Sequence, residues 1–411
     1  MQPAVAAFVL IVTALTYFVF PGHTYLQQDT QIYVPMLEKL EDPALFVNDP
    51  VVARPHLSWT LYDEVTVGAR RLTGLDFRSI LTAQQLALRA FGVWGVFLIG
   101  TSLGFTRRLS MFVSGVFSLG VMVLGPQVLT IEYEPVPRGF ALPLVLCAIG
   151  LALHGRNRAA SLAATAAMLY HAPTTAAFWL VFAVLLWRAR EWKPLAIPAL
   201  GLALLVAFSR LQPGLAERQP LFAIVSPAVE ALQKMRAAYN FVSLWPRELT
   251  VHYTSLAGVC VLALWRLRSR LSVTHWIVFA GLLGAGVLSA PFSLATLEGL
   301  RWSLIPQFQP ARAMLFVTSL GIILAAAAAI HAAAGRNYAE TFAWMLIPFL
   351  LPVHKLLTPP YTVTEALLVA GLAVLLLYTP WLAALLSQLR GDRSYWTGTL
   401  KVHEALLDVA L

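Results

Sequence analysis

The sequence predicts an all-α, polytopic integral membrane protein. Hydrophobic residues make up 59% of the 411 residues and charged residues only 12%, whereas soluble proteins carry about 25% charged residues. Apolar runs of about 17–25 residues, long enough for a helix to cross a bilayer, recur along the whole chain. Short basic clusters separate many of these runs. Most of the surface is therefore expected to face lipid, which excludes an ordinary soluble protein.

The apolar runs predict about twelve transmembrane helices, with a range of about ten to thirteen. The first is interpreted as a retained span and not as a signal peptide, because no basic segment precedes it and no small-residue cleavage site follows it. The predicted spans are 4–20, 86–105, 109–124, 139–154, 159–170, 174–187, 194–208, 253–265, 275–291, 311–333, 342–353 and 363–386.

Basic residues orient the predicted bundle. The net charge is +9. The basic residues cluster in the loops that follow the even-numbered predicted spans, and the positive-inside rule expects such basic loops on the cytoplasmic side. Topology thus explains the charge, and no nucleic-acid partner is expected. Both termini are predicted to be cytoplasmic, in a bacterial inner or plasma membrane. The long outer loops are then 21–85, 125–138 and 209–252, within one transmembrane domain spanning 1–386. Residues 387–411 are predicted to form a cytoplasmic or interfacial tail.

The first outer loop holds the densest polar segment, "GHTYLQQDTQIYVPMLEKLEDPALFVNDPVVARPHLSW". We expect it to form amphipathic helices. Asp29 and Tyr33 are four residues apart, so they share a face of a helix. The alternative for Asp29 is a plain N-cap of that helix. Arg54 and His56 follow in a turn, where they are candidates either for substrate contacts or for a structural role at the membrane interface.

The second outer loop reads "IEYEPVPRGFALPLVL", with Glu134, two prolines and Arg138 at the start of the next span. An acid and an arginine at an outer membrane surface suit the recognition of an anionic lipid headgroup. Two alternatives stay open. Arg138 could extend its charged head to the interface, or Glu134 and Arg138, four residues apart, could pair only with each other.

These segments together resemble the GT-C membrane glycosyltransferases. "DTQIYVPMLEKL", "NDPVVARP" and "PVPRGFALPLVL" are similar to segments of the tryptophan C-mannosyltransferase branch, and "YHAPTTAAF" and "QPARAMLF" resemble segments of several members. The resemblance covers the first 180 residues better than the rest. The chain departs from other branches by an Asp-Thr pair, Asp29–Thr30, in place of Asp-Glu, which leaves the class of acceptor open.

The resemblance implies a GT-C-like fold and inverting transfer of a sugar from a polyprenyl-phosphate donor to a glycan, lipid or protein acceptor on the outer face. It implies one general base, Asp29, with Glu134 as a second catalytic acid that positions the acceptor or Arg138. Cations would stabilise the leaving phosphate. The expected phosphate-binding residues are Arg138, Arg312 and His171, and the expected substrate contacts are Tyr33, Arg54 and His56. Membrane lipids are the remaining expected partners.

No metal site is predicted, because no His, Asp and Glu cluster has the spacing of metal ligands. A divalent ion shared by Asp29 and the donor phosphate is the open alternative, and no other cofactor is expected. Plain structural roles are the alternatives for Arg312, which could anchor its helix, and for His171, which could be a packing residue before Pro173.

A transporter or lipid flippase is the competing function. A twelve-span chain with proline-interrupted spans fits that class. Against it, the sequence shows neither internal repeats nor a charged residue at the centre of a predicted span. A third hypothesis is a membrane scaffold of this fold without activity.

Overall fold

The computed structural model describes residues 2–57, 59–211 and 223–351. The chain divides into two units, Met1–His354 and Lys355–Leu411, and only the first is described below. The predicted twelfth span, 363–386, and the predicted tail, 387–411, lie outside the described residues. The helices are α1 Pro3–Phe18, α2 Thr30–Glu41, α3 Tyr62–Thr73, α4 Phe77–Ser102, α5 Arg107–Phe117, α6 Pro137–Leu153, α7 Asn157–Ala189, α8 Ala196–Leu211, α9 Pro227–Arg236, α10 Arg247–Arg266, α11 Val273–Ser293, α12 Ile305–Phe308, α13 Met314–Ala334 and α14 Tyr338–Leu350.

The described residues are predominantly helical, and six helical segments are long and apolar enough to cross a membrane. Two further apolar helices, α1 and α6, are shorter. The class of an all-α membrane protein is therefore confirmed, while the number of twelve spans stays a prediction. The six segments are Phe77–Ser102, Asn157–Ala189, Lys193–Arg210, Arg247–Arg266, Val273–Gly299 and Ile305–Ala334.

Helices α6 and α13 form the centre of the bundle, because nearly every side chain on both is buried. Small residues allow close packing between such helices. A Cβ atom added at Gly95 of α4 would lie 2.6 Å from the Cα of Cys147 on α6, and one added at Gly150 would lie 2.7 Å from the Gly95 carbonyl oxygen. The backbones of α4 and α6 are thus in direct contact.

Helix α7 is a hairpin. A straight helix of its 33 residues would be about 50 Å long. Its ends instead meet, since Asn157 Nδ2 donates to Glu191 Oε2 at 2.6 Å. The one residue of α7 with non-helical backbone angles is His171 (φ −157°, ψ 92°), so the chain reverses there. The predicted gap between spans 159–170 and 174–187 falls at this reversal.

One end of the bundle, here called the basic end, gathers the loops that the sequence predicts to be basic. Arg266 of α10 forms a two-point ion pair with Glu340 of α14, at 2.6 and 3.1 Å. His275 at the start of α11 lies 3.2 Å from Ser102 at the end of α4. These contacts bring together the loops that follow even-numbered predicted spans, as the pattern of basic residues predicts.

The third predicted span, 109–124, is wrong in its second half. Helix α5 ends at Phe117, and an antiparallel hairpin of β1 (Met122–Val123) and β2 (Val128–Leu129) follows. Gly120 (φ 73°) and Gly125 (φ 81°) adopt left-handed angles that glycine accepts without strain. The apolar run therefore includes a turn-forming segment, which hydropathy does not distinguish from a helix.

The second predicted span, 86–105, begins too late. Helix α4 starts at Phe77, where Asp76 caps it by accepting from the Ser79 amide at 2.8 Å. Arg89 therefore lies in the middle of this helix, contrary to the expectation of no charge at a span centre. Its guanidinium contacts the Thr16 carbonyl in the last turn of α1. Arg89 therefore lies level with the end of the neighbouring helix α1 and not with the centre of the bundle.

The first outer loop contains the two amphipathic helices that the sequence predicts. Helices α2 and α3 bury one apolar face each, through Val34, Leu37 and Tyr62, in a cluster with Phe77 and Phe140. This layer lies on the end of the bundle opposite the basic end, where it is held against the start of α6.

A Gly95→Ala substitution tests the α4–α6 contact. The added methyl group meets backbone atoms that cannot rotate away, so the helices must separate, at a cost of about 1–3 kcal/mol. Gly284→Ala in α11 is the control, because a Cβ there meets nothing within 4 Å and alanine is the better helix former. Thermal unfolding in detergent should show Gly95→Ala less stable than wild type and Gly284→Ala equal or slightly more stable. Equal stabilities of the two variants would contradict this packing.

Candidate active site

Arg138 connects the two polar outer loops. It stands in the first turn of α6, where its Nη1 lies 2.5 Å from Asp29 Oδ2 and its Nε lies 2.9 Å from Glu132 Oε2. The Asp29 side chain is 43% exposed and that of Glu132 only 5%. Glu132 therefore holds the guanidinium on its buried side, and Asp29 is the member of the group that is accessible from solvent.

Two alternative interpretations drawn from the sequence, one for Asp29 and one for Arg138, are wrong. Asp29 occupies the N-cap position of α2, yet its side chain makes no capping hydrogen bond and pairs with Arg138 instead. Arg138 does not pair with Glu134, four residues before it, but with Glu132. Residues before Pro137 are not helical, so the four-residue spacing did not bring Glu134 to the arginine.

Glu134 is a buried acid in the same cluster. Within the described part of the chain neither of its carboxyl oxygens makes a hydrogen bond. Burial raises its pKa from 4.5 to about 8, the charge of Glu132 adds to the shift, and Arg138 only partly opposes it. With a pKa of about 8, Glu134 holds a proton at neutral pH and can donate a hydrogen bond.

Arg312 and His171 form a second group beside the first. Arg312 lies in the short turn Pro310–Ala313 before α13, and its Nη1 is 3.3 Å from His171 Nε2. His171 also caps the second arm of α7, with Nδ1 2.8 Å from Thr174 Oγ1. Within the described residues Arg312 has no carboxylate partner, and its buried Nε makes no hydrogen bond. A partly buried cation of this kind favours an anionic ligand.

The two groups border one small cavity. Its volume is about 10 Å³, and its lining includes Arg138, Arg312, Glu132 and Thr174. A cavity of this size holds about one water molecule. A ligand larger than a water molecule therefore needs the side chains that line the cavity to move before it can bind between the arginines.

Tyr33 lies beside the cluster, as the sequence predicts. Burial raises its pKa, the Asp29 charge adds to the rise, and Arg138 and Arg312 oppose it. Its ring lies 5.9 Å from that of Tyr62, whose hydroxyl donates to the Pro135 carbonyl at 2.7 Å. The aromatic pair thus ties α2 and α3 to the second outer loop.

Sequence reasoning missed the residues beneath the cluster, Gln85 and Arg89 of α4. Arg89 donates to the carbonyls of Thr16, Gly22 and Glu132 at 2.6, 2.8 and 2.8 Å. Gln85 donates to the carbonyls of Glu132 and Tyr133. The signal in the sequence was two polar residues four apart, on one face of an otherwise apolar helix.

His56, an expected substrate contact, pairs with two acids of α3 and not with the arginine cluster. Arg54 is exposed on the segment before α3. His56 Nδ1 lies 2.9 Å from Asp63 Oδ2 and 3.9 Å from Glu64 Oε1. The ligand atoms of His56, Asp63 and Glu64 all lie within 4.8 Å of one another, so the statement that no cluster has metal-ligand spacing is wrong at this one place.

The fold and the cluster define a helical membrane protein with a charged, partly exposed site at one end of its bundle. Two outer loops, the start of α6, the reversal of α7 and the turn before α13 supply the site. Comparisons with protein-family models, with curated proteins and with solved structures return no match to this chain. Its function is therefore argued from the chemistry of the site.

The buried acid Glu134 gives a testable dependence on pH. The unfolded chain loses the Glu134 proton near pH 4.3, whereas the folded chain keeps it up to about pH 8. The free energy of unfolding therefore falls as pH rises through this window. Glu134→Gln, which carries no charge at any pH, should be more stable than wild type at pH 8 by about 1–3 kcal/mol, and nearly equal to it at pH 4.5.

Thermal unfolding across this pH range measures the difference. Glu248→Gln serves as the control, because Glu248 is exposed on α10. A difference between Glu134→Gln and wild type that stays constant with pH would show that Glu134 is ionised in the folded protein.

Proposed function

We propose that this chain is a membrane glycosyltransferase of the GT-C type, which transfers a sugar with inversion from a polyprenyl-phosphate donor to an acceptor on the extracytoplasmic face. The observation that supports it most is the pairing of an exposed acid, Asp29, with Arg138, next to a second arginine, Arg312, that has no acid partner among the described residues. A base and a phosphate site are the two parts that this reaction needs.

The proposed position of the leaving phosphate is between the two arginines, once the side chains around the small cavity have moved apart. The charge of Arg138 is already offset by Asp29 and Glu132, whereas Arg312 faces the imidazole ring of His171 and no carboxylate among the described residues. Arg312 is therefore the stronger attraction for an anion. A phosphate that also binds Arg138 Nη1 takes the place of the Asp29 carboxylate there. Donor binding thus frees Asp29 to accept a proton.

The reaction then follows with each group in one role. The acceptor hydroxyl attacks the anomeric carbon of the sugar while Asp29 removes its proton. The bond between this carbon and the phosphate oxygen breaks, and its electron pair leaves with the lipid phosphate, where Arg138 and Arg312 stabilise the added charge. Glu134, which holds its proton, donates a hydrogen bond to the acceptor or donor sugar.

The sidedness of the charges supports an active site on the outer face. The cluster lies at the end of the bundle opposite the basic end, which the positive-inside rule assigns to the cytoplasm together with the N-terminus and the C-terminus. The membrane of this proposal is a bacterial inner or plasma membrane. The acceptor is a glycan, a lipid or a protein, and a divalent ion at the donor phosphate is compatible with Asp29.

A transporter or lipid flippase is the second candidate. Two arginines within helical segments, Arg89 and Arg312, favour it, because ionisable residues in spans often mark transport pathways. Arg89, however, donates three hydrogen bonds from its terminal nitrogens to backbone carbonyls, which is a structural use. Asp29 is exposed, as surface chemistry requires.

Binding of lipid phosphates tests the phosphate site. Purified protein in nanodiscs is titrated with a panel of polyprenyl-phosphate sugars and with the polyprenyl phosphate that lacks a sugar. We expect wild type and Asp29→Asn to bind a member of the panel, and Arg312→Ala and Arg138→Ala to bind it at least about tenfold more weakly, as loss of a charge-assisted contact costs about 1.5–3 kcal/mol. Arg266→Ala, which breaks an ion pair at the basic end, is the matched control and should bind like wild type.

Absence of binding by wild type to the whole panel would contradict the glycosyltransferase. Binding that Arg312→Ala and Arg266→Ala weaken equally would place the phosphate elsewhere.

Turnover tests the base. With the donor that binds, and with a panel of sugar and lipid acceptors, Asp29→Asn should retain donor binding and lose transfer by at least about 100-fold, because general-base catalysis contributes about 10²–10⁴. The product should carry the anomeric configuration opposite to that of the donor. Translocation of intact donor lipid across proteoliposomes, without a glycosylated product, would instead identify a flippase.

A further inference from the structure

We propose that His56, Asp63 and Glu64 form a binding site for one divalent transition-metal ion, of which Zn²⁺ fits the ligands best. The site lies in the first outer loop and is separate from the arginine cluster. It does not depend on the proposed glycosyl transfer.

The distances fit a metal coordination sphere. Ligand atoms about 2.1 Å from a tetrahedral Zn²⁺ ion lie about 3.4 Å from each other. His56 Nδ1 lies 2.9 Å from Asp63 Oδ2 and 3.9 Å from Glu64 Oε1. The first distance is shorter and the second longer than the required value, and all three ligand atoms lie within 4.8 Å of one another. Small movements of the side chains would therefore bring them to one ion.

The local fold aims the three side chains at one point. Asp63 and Glu64 stand in the first turn of α3, and His56 comes from the segment before this helix. Neighbouring residues of a helix do not usually point the same way. Here the segment that holds His56 passes over the start of α3 and faces both carboxyl groups.

Asp63 provides an independent sign of a missing ligand. The residue is only 1% exposed, and its Oδ1 is buried without a hydrogen-bond partner among the described residues. A buried acid with an unsatisfied oxygen costs free energy, and its carboxylate neighbour Glu64 adds repulsion. A divalent cation bound by both acids removes these costs. An ion pair of His56 with Asp63 alone leaves Oδ1 unsatisfied.

The site is open to ions from solvent. A cavity of about 360 Å³ includes His56, Asp63, Glu64 and Arg71 in its lining, and the His56 side chain is 21% exposed. The one cation in this lining, Arg71, is directed to Glu41 at 3.3 Å. An ion can therefore enter, and water can complete its coordination.

The donor atoms select the kind of ion. Zn²⁺ binds both imidazole nitrogen and carboxylate oxygen, usually in tetrahedral sites, so three protein ligands leave one position for water. Mg²⁺ and Ca²⁺ prefer six or more oxygen ligands, so they should bind much more weakly. Mn²⁺ accepts the same donors and follows Zn²⁺ in affinity.

Metal content of the full-length protein tests the site. The protein in nanodiscs is stripped with a chelator and titrated with Zn²⁺, Mn²⁺ and Mg²⁺, with bound metal measured by mass spectrometry and by competition with a fluorescent chelator. Wild type should bind Zn²⁺ in a ratio near one per chain, at least about 100-fold more tightly than Mg²⁺. His56→Gln should lose at least about tenfold in Zn²⁺ affinity.

Glu41→Gln is the control, since Glu41 contacts the same cavity lining but not the three ligands, and it should bind Zn²⁺ like wild type. His56→Gln changes a partly exposed side chain and should leave the protein folded. Asp63→Asn provides a second loss of affinity if its thermal unfolding matches wild type. Zn²⁺ binding that His56→Gln leaves unchanged, or that Glu41→Gln weakens equally, would overturn the proposal.

Discussion

The candidate site depends on the hydrogen bonds that Arg89 donates to backbone carbonyls. Where the backbone leaves a helix inside a membrane protein, its carbonyl groups need hydrogen-bond donors from the protein itself, because lipid supplies none. The guanidinium of Arg89 provides them at the end of α1, at the turn after it and at Glu132. Gln85, one turn earlier, holds the next carbonyl of the same loop. The second outer loop is thereby fixed against α4, and with it the carboxylate that anchors Arg138.

From Arg89 outwards, basic and acidic residues alternate towards the surface. Arg89 holds the backbone of Glu132, the side chain of Glu132 holds Arg138, and Arg138 holds Asp29. The inner contacts are buried and therefore rigid, whereas the outermost contact is exposed and is the least costly to exchange. A phosphate arriving from solvent or from lipid would compete for that outermost contact alone. Arg312, outside this series, has no carboxylate partner among the described residues, and in the proposed reaction its positive charge would favour this exchange.

The sequence was sufficient for the class of protein and for part of the site. Composition and basic clusters predict a helical membrane protein, and their sidedness predicts that Asp29 and Arg138 lie at the same end of the bundle. The choice between Glu132 and Glu134 could not be predicted, because helical spacing does not apply to the extended residues before Pro137. The β-hairpin after α5 could not be predicted, because its residues are as hydrophobic as those of a transmembrane helix. The cluster at His56 depends on how an irregular segment crosses the start of α3, which spacing alone does not encode.

The two acids of the site differ because their surroundings differ, and this difference assigns their roles. Asp29 is exposed and faces a guanidinium, whereas Glu134 is buried without a hydrogen bond and keeps its proton to about pH 8. Enzymes use pairs of carboxyl groups in this way, with one as the ionised base and the other as a proton-bearing donor. If both were ionised, the cluster would hold three carboxylates around Arg138 and would repel a phosphate. In the proposed reaction, the proton on Glu134 would therefore favour binding of an anion at the site, while Asp29 would remain available as the base.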